Sequence, residues 1–191
     1  MLQSGYAHAT VSKLLTILSL GSFFMSDVQE TYGLSVAQLG QSSTIWRVLT
    51  SQLFFSEGDG AVFAACLFYV CRQIERQMGS SKFLGFCTFV SVVAGLVQLE
   101  LLYLFPSSFA AAGFSSGPYA LAFALIILYW RWVPHQRRKP TVILGFNISE
   151  KFMTYLFCAQ CFFAAGMASF VPSLTAIVPV ATYLSGVRMM L

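Results

Sequence analysis

The sequence predicts an all-α polytopic membrane protein, and three observations carry that prediction. Of 191 residues, 57% are hydrophobic and only 9% are charged, against roughly 25% charged in an ordinary soluble domain. The mean hydropathy is +0.73. The apolar residues also gather into six runs instead of scattering along the chain. Eleven basic and 7 acidic side chains cannot solvate a surface of this size, which excludes a soluble enzyme, a nucleic-acid binder and a disordered chain. Stretches such as Leu121 to Trp130 are continuously apolar, not alternating, so a membrane β-barrel is set aside as well.

The expected helices lie near 10–26, 58–75, 83–105, 113–131, 152–171 and 173–190, within one domain covering 1–191. A membrane helix takes ~20 residues. Lys13 precedes the first apolar run in the manner of a signal peptide, but no small-residue cleavage site follows Met25 and five more runs come after it, so a retained helix is expected. The second run, Ala61–Ile74, is short unless Phe54 and Phe55 stand at its start. The fourth leads into the turn WRWVPHQRRKP, where Trp130 and Trp132 are interface anchors and four basic residues favour anionic lipid at ~1 kcal/mol each. Pro172 and Pro179 would end or kink helices in the last two runs.

Orientation follows from the basic residues. With a cytosolic N-terminus, that side receives Lys13, Arg72, Arg76, Lys82, Arg131, Arg137, Arg138, Lys139, Lys151 and Arg188, while the far side receives only Arg47. The positive-inside rule then predicts that both termini are cytosolic. The long Ser26–Gly60 loop falls on the far side. It mixes Tyr32, Leu34, Val36, Leu39, Ile45 and Trp46 with few charges, so it is expected to lie in the headgroup layer.

Residues that could do chemistry are few. Cys66, Cys71, Cys87, Cys158 and Cys161 fall inside predicted helices or at their ends, and the Cys158–Cys161 spacing lacks the exposed, electropositive setting of a reactive thiolate. His8 and His135 sit outside the apolar runs, and no convergent His, Asp or Glu set suggests a metal, so no cofactor is expected. Glu100 lies 18 residues beyond Lys82, ~27 Å along a helix. That reads as an interfacial acid, with a proton relay as the alternative. The sequon at Asn147 faces the cytosol in this topology and should stay unglycosylated.

One ordered set stands out. Trp46-Arg47 closes the long loop, Glu75-Arg76-Gln77-Met78-Gly79-Ser80-Ser81-Lys82 follows the second run, and Gly113-Phe114-Ser115-Ser116-Gly117 opens the fourth. Together with six runs, this set resembles the rhomboid superfamily from about Lys13 to Leu191. The resemblance implies a six-helix rhomboid-like bundle with a long loop between its first two helices. It also makes Trp46, Arg47, Glu75, Arg76 and Gly79 structural motif residues.

Rhomboid proteases use a serine in a Gly-x-Ser-Gly motif and a histidine on the sixth span. Here Ser116-Gly117 fits, but Phe114 stands where the motif wants glycine, and no histidine follows His135. The oxyanion His and Asn of the second span have no match in Gly58-Asp59-Gly60-Ala61 or Phe63-Ala64. The resemblance is therefore to a rhomboid pseudoprotease with Ser116 vestigial. It lies closest to the branch that carries a C-terminal ubiquitin-associated domain, with the derlins second. That domain is not found before Leu191, so the resemblance gives no ground for direct ubiquitin binding by these residues.

Such a resemblance implies a scaffold of endoplasmic-reticulum quality control. It would bind membrane clients or partner helices beside ubiquitin ligases and extraction factors, with local membrane thinning where spans are short. Small residues at Ala165, Ser169, Ser185 and Gly186 are expected to let the fifth and sixth helices approach closely. Two other classes stay open: an active intramembrane serine protease using Ser116 with an unrecognised base, and a small transporter with Glu100 as coupling acid.

Overall fold

The computed structural model describes residues 9–24, 44–106, 114–133, 141–143, 146–148 and 150–189. Its helices, in chain order, are α1 (Thr10–Phe23), α2 (Thr44–Thr50), α3 (Gly58–Met78), α4 (Ser80–Leu104), α5 (Tyr119–Trp132), α6 (Glu150–Phe163), α7 (Met167–Thr175) and α8 (Ile177–Met189). Between α5 and α6 lies a short antiparallel hairpin of β1 (Thr141–Ile143) and β2 (Phe146–Ile148), with Val142 opposite Asn147. The helical pattern of the sequence gives no sign of that hairpin. The rest is the all-α membrane architecture that composition predicts.

α3 begins with Asp59 in its first turn, where a carboxylate meets the positive end of the helix dipole. It continues for 21 residues, past the apolar run and through Arg72 and Arg76. Gly79 stops it with φ +86°, a conformation open to glycine, and α4 starts at the next residue. α5 is apolar all round, and most of its residues are buried, as expected of a helix surrounded by others. It forms the centre of the core with Leu67, Phe68 and Ile74 of α3 and Phe83, Phe86 and Val90 of α4.

The turn between the fifth and sixth expected helices falls elsewhere than the prolines suggest. The chain reverses at Ala164–Gly166, where Gly166 takes φ +61°, and not near 171–173. Pro172 sits inside α7. Lacking an N–H, it leaves the carbonyl of Ala168 without its helical partner, and the N–H of Ser115 donates to that carbonyl at 3.0 Å. Pro179 is the third residue of α8, where no intrahelical N–H bond is due. Only Ala176 separates α7 from α8, so Met167–Gly186 acts as one apolar stretch of 20 residues. The fourth helix likewise starts late, at Tyr119, with residues 114–118 forming a non-helical approach.

α4, at 25 residues, and Met167–Gly186 are long and apolar enough to cross a bilayer. Leu14, Leu96, Trp130, Phe163 and Met167 are each more than half exposed. A soluble monomer rarely displays so much apolar surface, whereas a bilayer accepts it. Lys13, Arg72, Arg76, Lys82, Arg131 and Lys151 collect at one end. There the carboxylate of Glu75 meets the start of α1, Gly79 joins α3 to α4, and Nζ of Lys151 donates to the carbonyl of Val133 at the end of α5.

Candidate functional site

Ser116 lies in the non-helical approach to α5 and is 1% exposed. Its hydroxyl donates to the carbonyls of Phe54 at 2.9 Å and Ser51 at 3.2 Å. The Ser51 carbonyl also accepts the N–H of Gly117 at 2.7 Å, and the Ser116 carbonyl accepts the N–H of Ser56 at 2.9 Å. The hydroxyls of Ser56 and Ser115 are hydrogen-bonded to each other at 2.8 Å. These bonds lace residues 51–56, which follow α2, onto residues 115–117. Gly117 takes φ +150°, and a Cβ there would come 2.7 Å from Cδ1 of Phe55 and 2.8 Å from Cε2 of Tyr119. Phe55 and Tyr119 meet edge to face, 5.0 Å between centroids. Gly60 is also closely packed, since a Cβ would lie 2.9 Å from the Tyr119 hydroxyl. In this arrangement the Ser116 hydroxyl joins two segments of backbone.

The Glu75 corner is the second built feature. Glu75 ends α3's buried face and is fully buried. Its carboxylate accepts the N–H of Val11 at 3.0 Å, the N–H of Ser12 at 2.7 Å and the Ser80 hydroxyl at 2.7 Å. Val11 and Ser12 lie in the first turn of α1, whose N-cap residue, Ala9, offers no side-chain acceptor. A carboxylate from a different helix thus fills the place of the missing cap, facing the N-terminal dipole. This gives the Glu-Arg-x-x-Gly-Ser run a physical reading. Glu75 reaches α1, Gly79 makes the turn and Ser80 secures Glu75. Arg76 stays half-buried in the last turn of α3.

A third cluster was not anticipated. Nε2 of Gln52 donates to Oε1 of Gln98 at 2.7 Å, and Nε2 of Gln98 donates to the Thr175 hydroxyl at 3.2 Å. Gln52 and Gln98 are 3% and 2% exposed. Their sequence signal is a lone amide inside an apolar run, and no spacing rule joins positions 52, 98 and 175.

The other singled-out residues take varied places. Trp46 lies in α2, with its side chain outside the described residues, and Arg47 beside it is half-buried. Ser169 is fully buried, but it closes the α6–α7 turn: its hydroxyl donates to the carbonyls of Phe162 and Gly166 and accepts the N–H of Ala165. Ser185 is exposed, and a Cβ added at Gly186 would meet nothing within 4 Å. The close approach expected of the small residues is found at Gly117, Gly60 and Gly95, not there. Glu100 is exposed on α4. Cys158 and Cys161 lie in the second half of α6, one half-buried and one buried. His8, His135 and residues 25–43 of the long loop lie outside the described residues.

The chain is 31% identical over 156 residues to Rhomboid-like protein 18 of Arabidopsis thaliana, covering 80% of this chain and 53% of that relative. It is 28% identical over 90 residues to DSC E3 ubiquitin ligase complex subunit 2 of Schizosaccharomyces pombe, covering 47% of this chain and 24% of the relative. The chain therefore spans about half the length of the first relative and a quarter of the second. No protein-family model matches it. No solved structure matches it either.

Proposed function

Because the chain belongs to the rhomboid-like superfamily, we propose that it is a non-catalytic, multi-pass scaffold of the endoplasmic-reticulum membrane. In this reading it holds membrane clients or partner helices for ubiquitin-linked degradation. The observation that carries the non-catalytic reading is the Ser116 hydroxyl, buried and donating to the carbonyls of Ser51 and Phe54. A serine nucleophile needs a base within hydrogen-bond reach, and the sequence has no histidine after His135. The relative described as a subunit of a DSC E3 ubiquitin ligase complex supports the link to ubiquitin.

Both termini are cytosolic in this reading, with ten of the eleven basic residues on that side. Helix lengths support a second aspect of the role. α1, α5 and α6 have 14 residues each, ~21 Å of rise against a hydrocarbon core of ~30 Å. Such a mismatch is relieved by thinning the bilayer around the protein, which lowers the barrier to moving a client out of it.

One experiment separates scaffold from protease. A single-pass reporter with a polar residue in its membrane segment is followed by pulse-chase in cells lacking the protein. Its half-life should lengthen, and re-expressed Ser116→Ala should restore turnover as well as the parent does. Restoration by the parent alone, at equal expression, would refute the non-catalytic reading.

A further inference from the structure

α5 and α6 face each other across a lateral groove of about 360 Å³. Phe123, Ile127 and Trp130 form one wall and Tyr155, Ala159 and Phe162 the other, three or four residues apart on each helix. Each row rises ~10 Å. At one end the walls meet, where the rings of Phe123 and Phe162 lie 5.6 Å apart between centroids. The groove is therefore blind, and its length suits one leaflet of ~15 Å rather than the whole ~30 Å core. Its volume is also well below the roughly 800 Å³ of a helix segment ~10 Å long and ~10 Å wide. A single acyl chain matches it in both respects.

The end away from that ring pair is basic. Arg131 stands four residues after Ile127, on the same stripe of α5, and is exposed. Lys151 stands four residues before Tyr155 on the stripe of α6. It is 5% exposed, donates to the Val133 carbonyl and lies 5.5 Å from the Tyr129 ring centroid, so its charge is held beneath the mouth of the groove. From Trp130 to Lys151 the sequence has five basic side chains and one acidic, Glu150, a surplus equal to the +4 of the whole chain. Trp130 and Tyr155, which line this end, are of the aromatic type that sits at headgroup level. A neutral lipid would fill the apolar groove and leave the positive surplus unanswered. A crossing helix would overrun the blind end.

We infer that the α5–α6 groove holds one acyl chain of an anionic phospholipid, whose phosphate sits at Arg131 in the field of Lys151. Such a lipid ties α6 to α5 along a face where the protein itself leaves a gap. The site goes beyond the scaffold reading and does not depend on it.

The test uses the full chain in liposomes of equal phosphatidylserine and phosphatidylcholine. A photo-crosslinking residue replaces Ile127 in the groove or Leu96, which is exposed on α4, and the captured species are identified by mass. Position 127 should capture phosphatidylserine at least about fivefold over phosphatidylcholine, the preference that one basic residue near the surface supplies. Position 96 should capture the two lipids as mixed. Arg131→Gln should reduce the preference at 127 about fivefold and leave phosphatidylcholine capture unchanged. Ala159 is exposed, so Ala159→Trp fills the groove without entering the core and should abolish lipid capture at 127. Excess soluble glycerophosphoserine should not compete. Equal capture of the two lipids at 127, or a preference that survives Arg131→Gln, would overturn the inference. So would capture of a second copy of the chain in place of lipid, lipid capture indifferent to Ala159→Trp, or displacement by the soluble headgroup, which would mark a phosphate site without a seated tail. None of these outcomes touches the scaffold reading, which the degradation reporter tests separately.

Discussion

Replacing Glu75 with alanine should loosen the start of α1 specifically, by an amount that the structure lets us work out. The carboxylate accepts two backbone N–H groups, of Val11 and Ser12, and the Ser80 hydroxyl. Loss of a helix cap costs about 1 kcal/mol, and up to about 2 where the cap is buried in tertiary structure. Two donors left unpaired in a buried corner add about 1–3 kcal/mol each, less the share already counted in the cap. The Ser80 hydroxyl can rotate to another acceptor. We expect a total of about 3 kcal/mol, or roughly two orders of magnitude in an opening equilibrium. Hydrogen exchange by mass spectrometry in detergent reads this directly: amides 11 and 12 should exchange roughly a hundredfold faster, while α5 stays protected. Glu75→Gln keeps one acceptor oxygen but loses the charge facing the dipole, so about 1–2 kcal/mol should go. Unchanged exchange at 11 and 12 in Glu75→Ala would show that α1 is held by its packing on α3 and that the cap is incidental.

Three other outcomes follow from the geometry. Ser116→Ala should lower the melting temperature by only a few degrees, since it removes bonds worth about 1 kcal/mol in all, and a fluorophosphonate probe should label parent and variant equally weakly. Labelling that vanishes in the variant would mark a live nucleophile. Gly117→Ala should cost more than 2 kcal/mol, because the Cβ meets Phe55 and Tyr119 below 3 Å at a φ of +150°; a stability within 0.5 kcal/mol of the parent in denaturant titration would contradict it. A glycosylation site engineered between residues 26 and 43 should be modified while Asn147 is not, and modification of Asn147 in the intact protein would invert the orientation.

Much of the fold is legible in the sequence, for a physical reason. A deficit of charge and runs of apolar residues of bilayer length state the solvent, and the solvent dictates helices. Gly79 is legible too, as the break between two long runs. The approach to α5 is less so, because Ser115, Ser116 and Gly117 resemble a catalytic motif while their partners lie in residues 51–56, some sixty positions earlier. Pro172 misleads for a related reason. A proline predicts a break when its helix must supply every bond internally, and here Ser115 supplies the missing one from another segment. The true turn, at Ala164–Gly166, is written in alanines that favour helix, and only the φ of Gly166 betrays it. Glu75 could be recognised as a motif residue but not as a cap, since its helix begins sixty-four residues away. The Gln52–Gln98–Thr175 cluster had no local signature at all.

The bond from Ser115 to Ala168 also sets an order of events during synthesis. The central helix is made well before the last one, and the Ser115 N–H has no native partner until a segment about fifty residues further along has emerged. At ~5–20 residues per second, that interval is roughly 3–10 s. For that time the Ser115 N–H lacks its native acceptor, while residues 51–56 already have their partners at 115–117. The growing chain is then incompletely assembled, with one backbone donor still short of its native partner. Its maturation ends when α7 arrives, and Pro172 guarantees that the carbonyl it brings has not already been taken by its own helix.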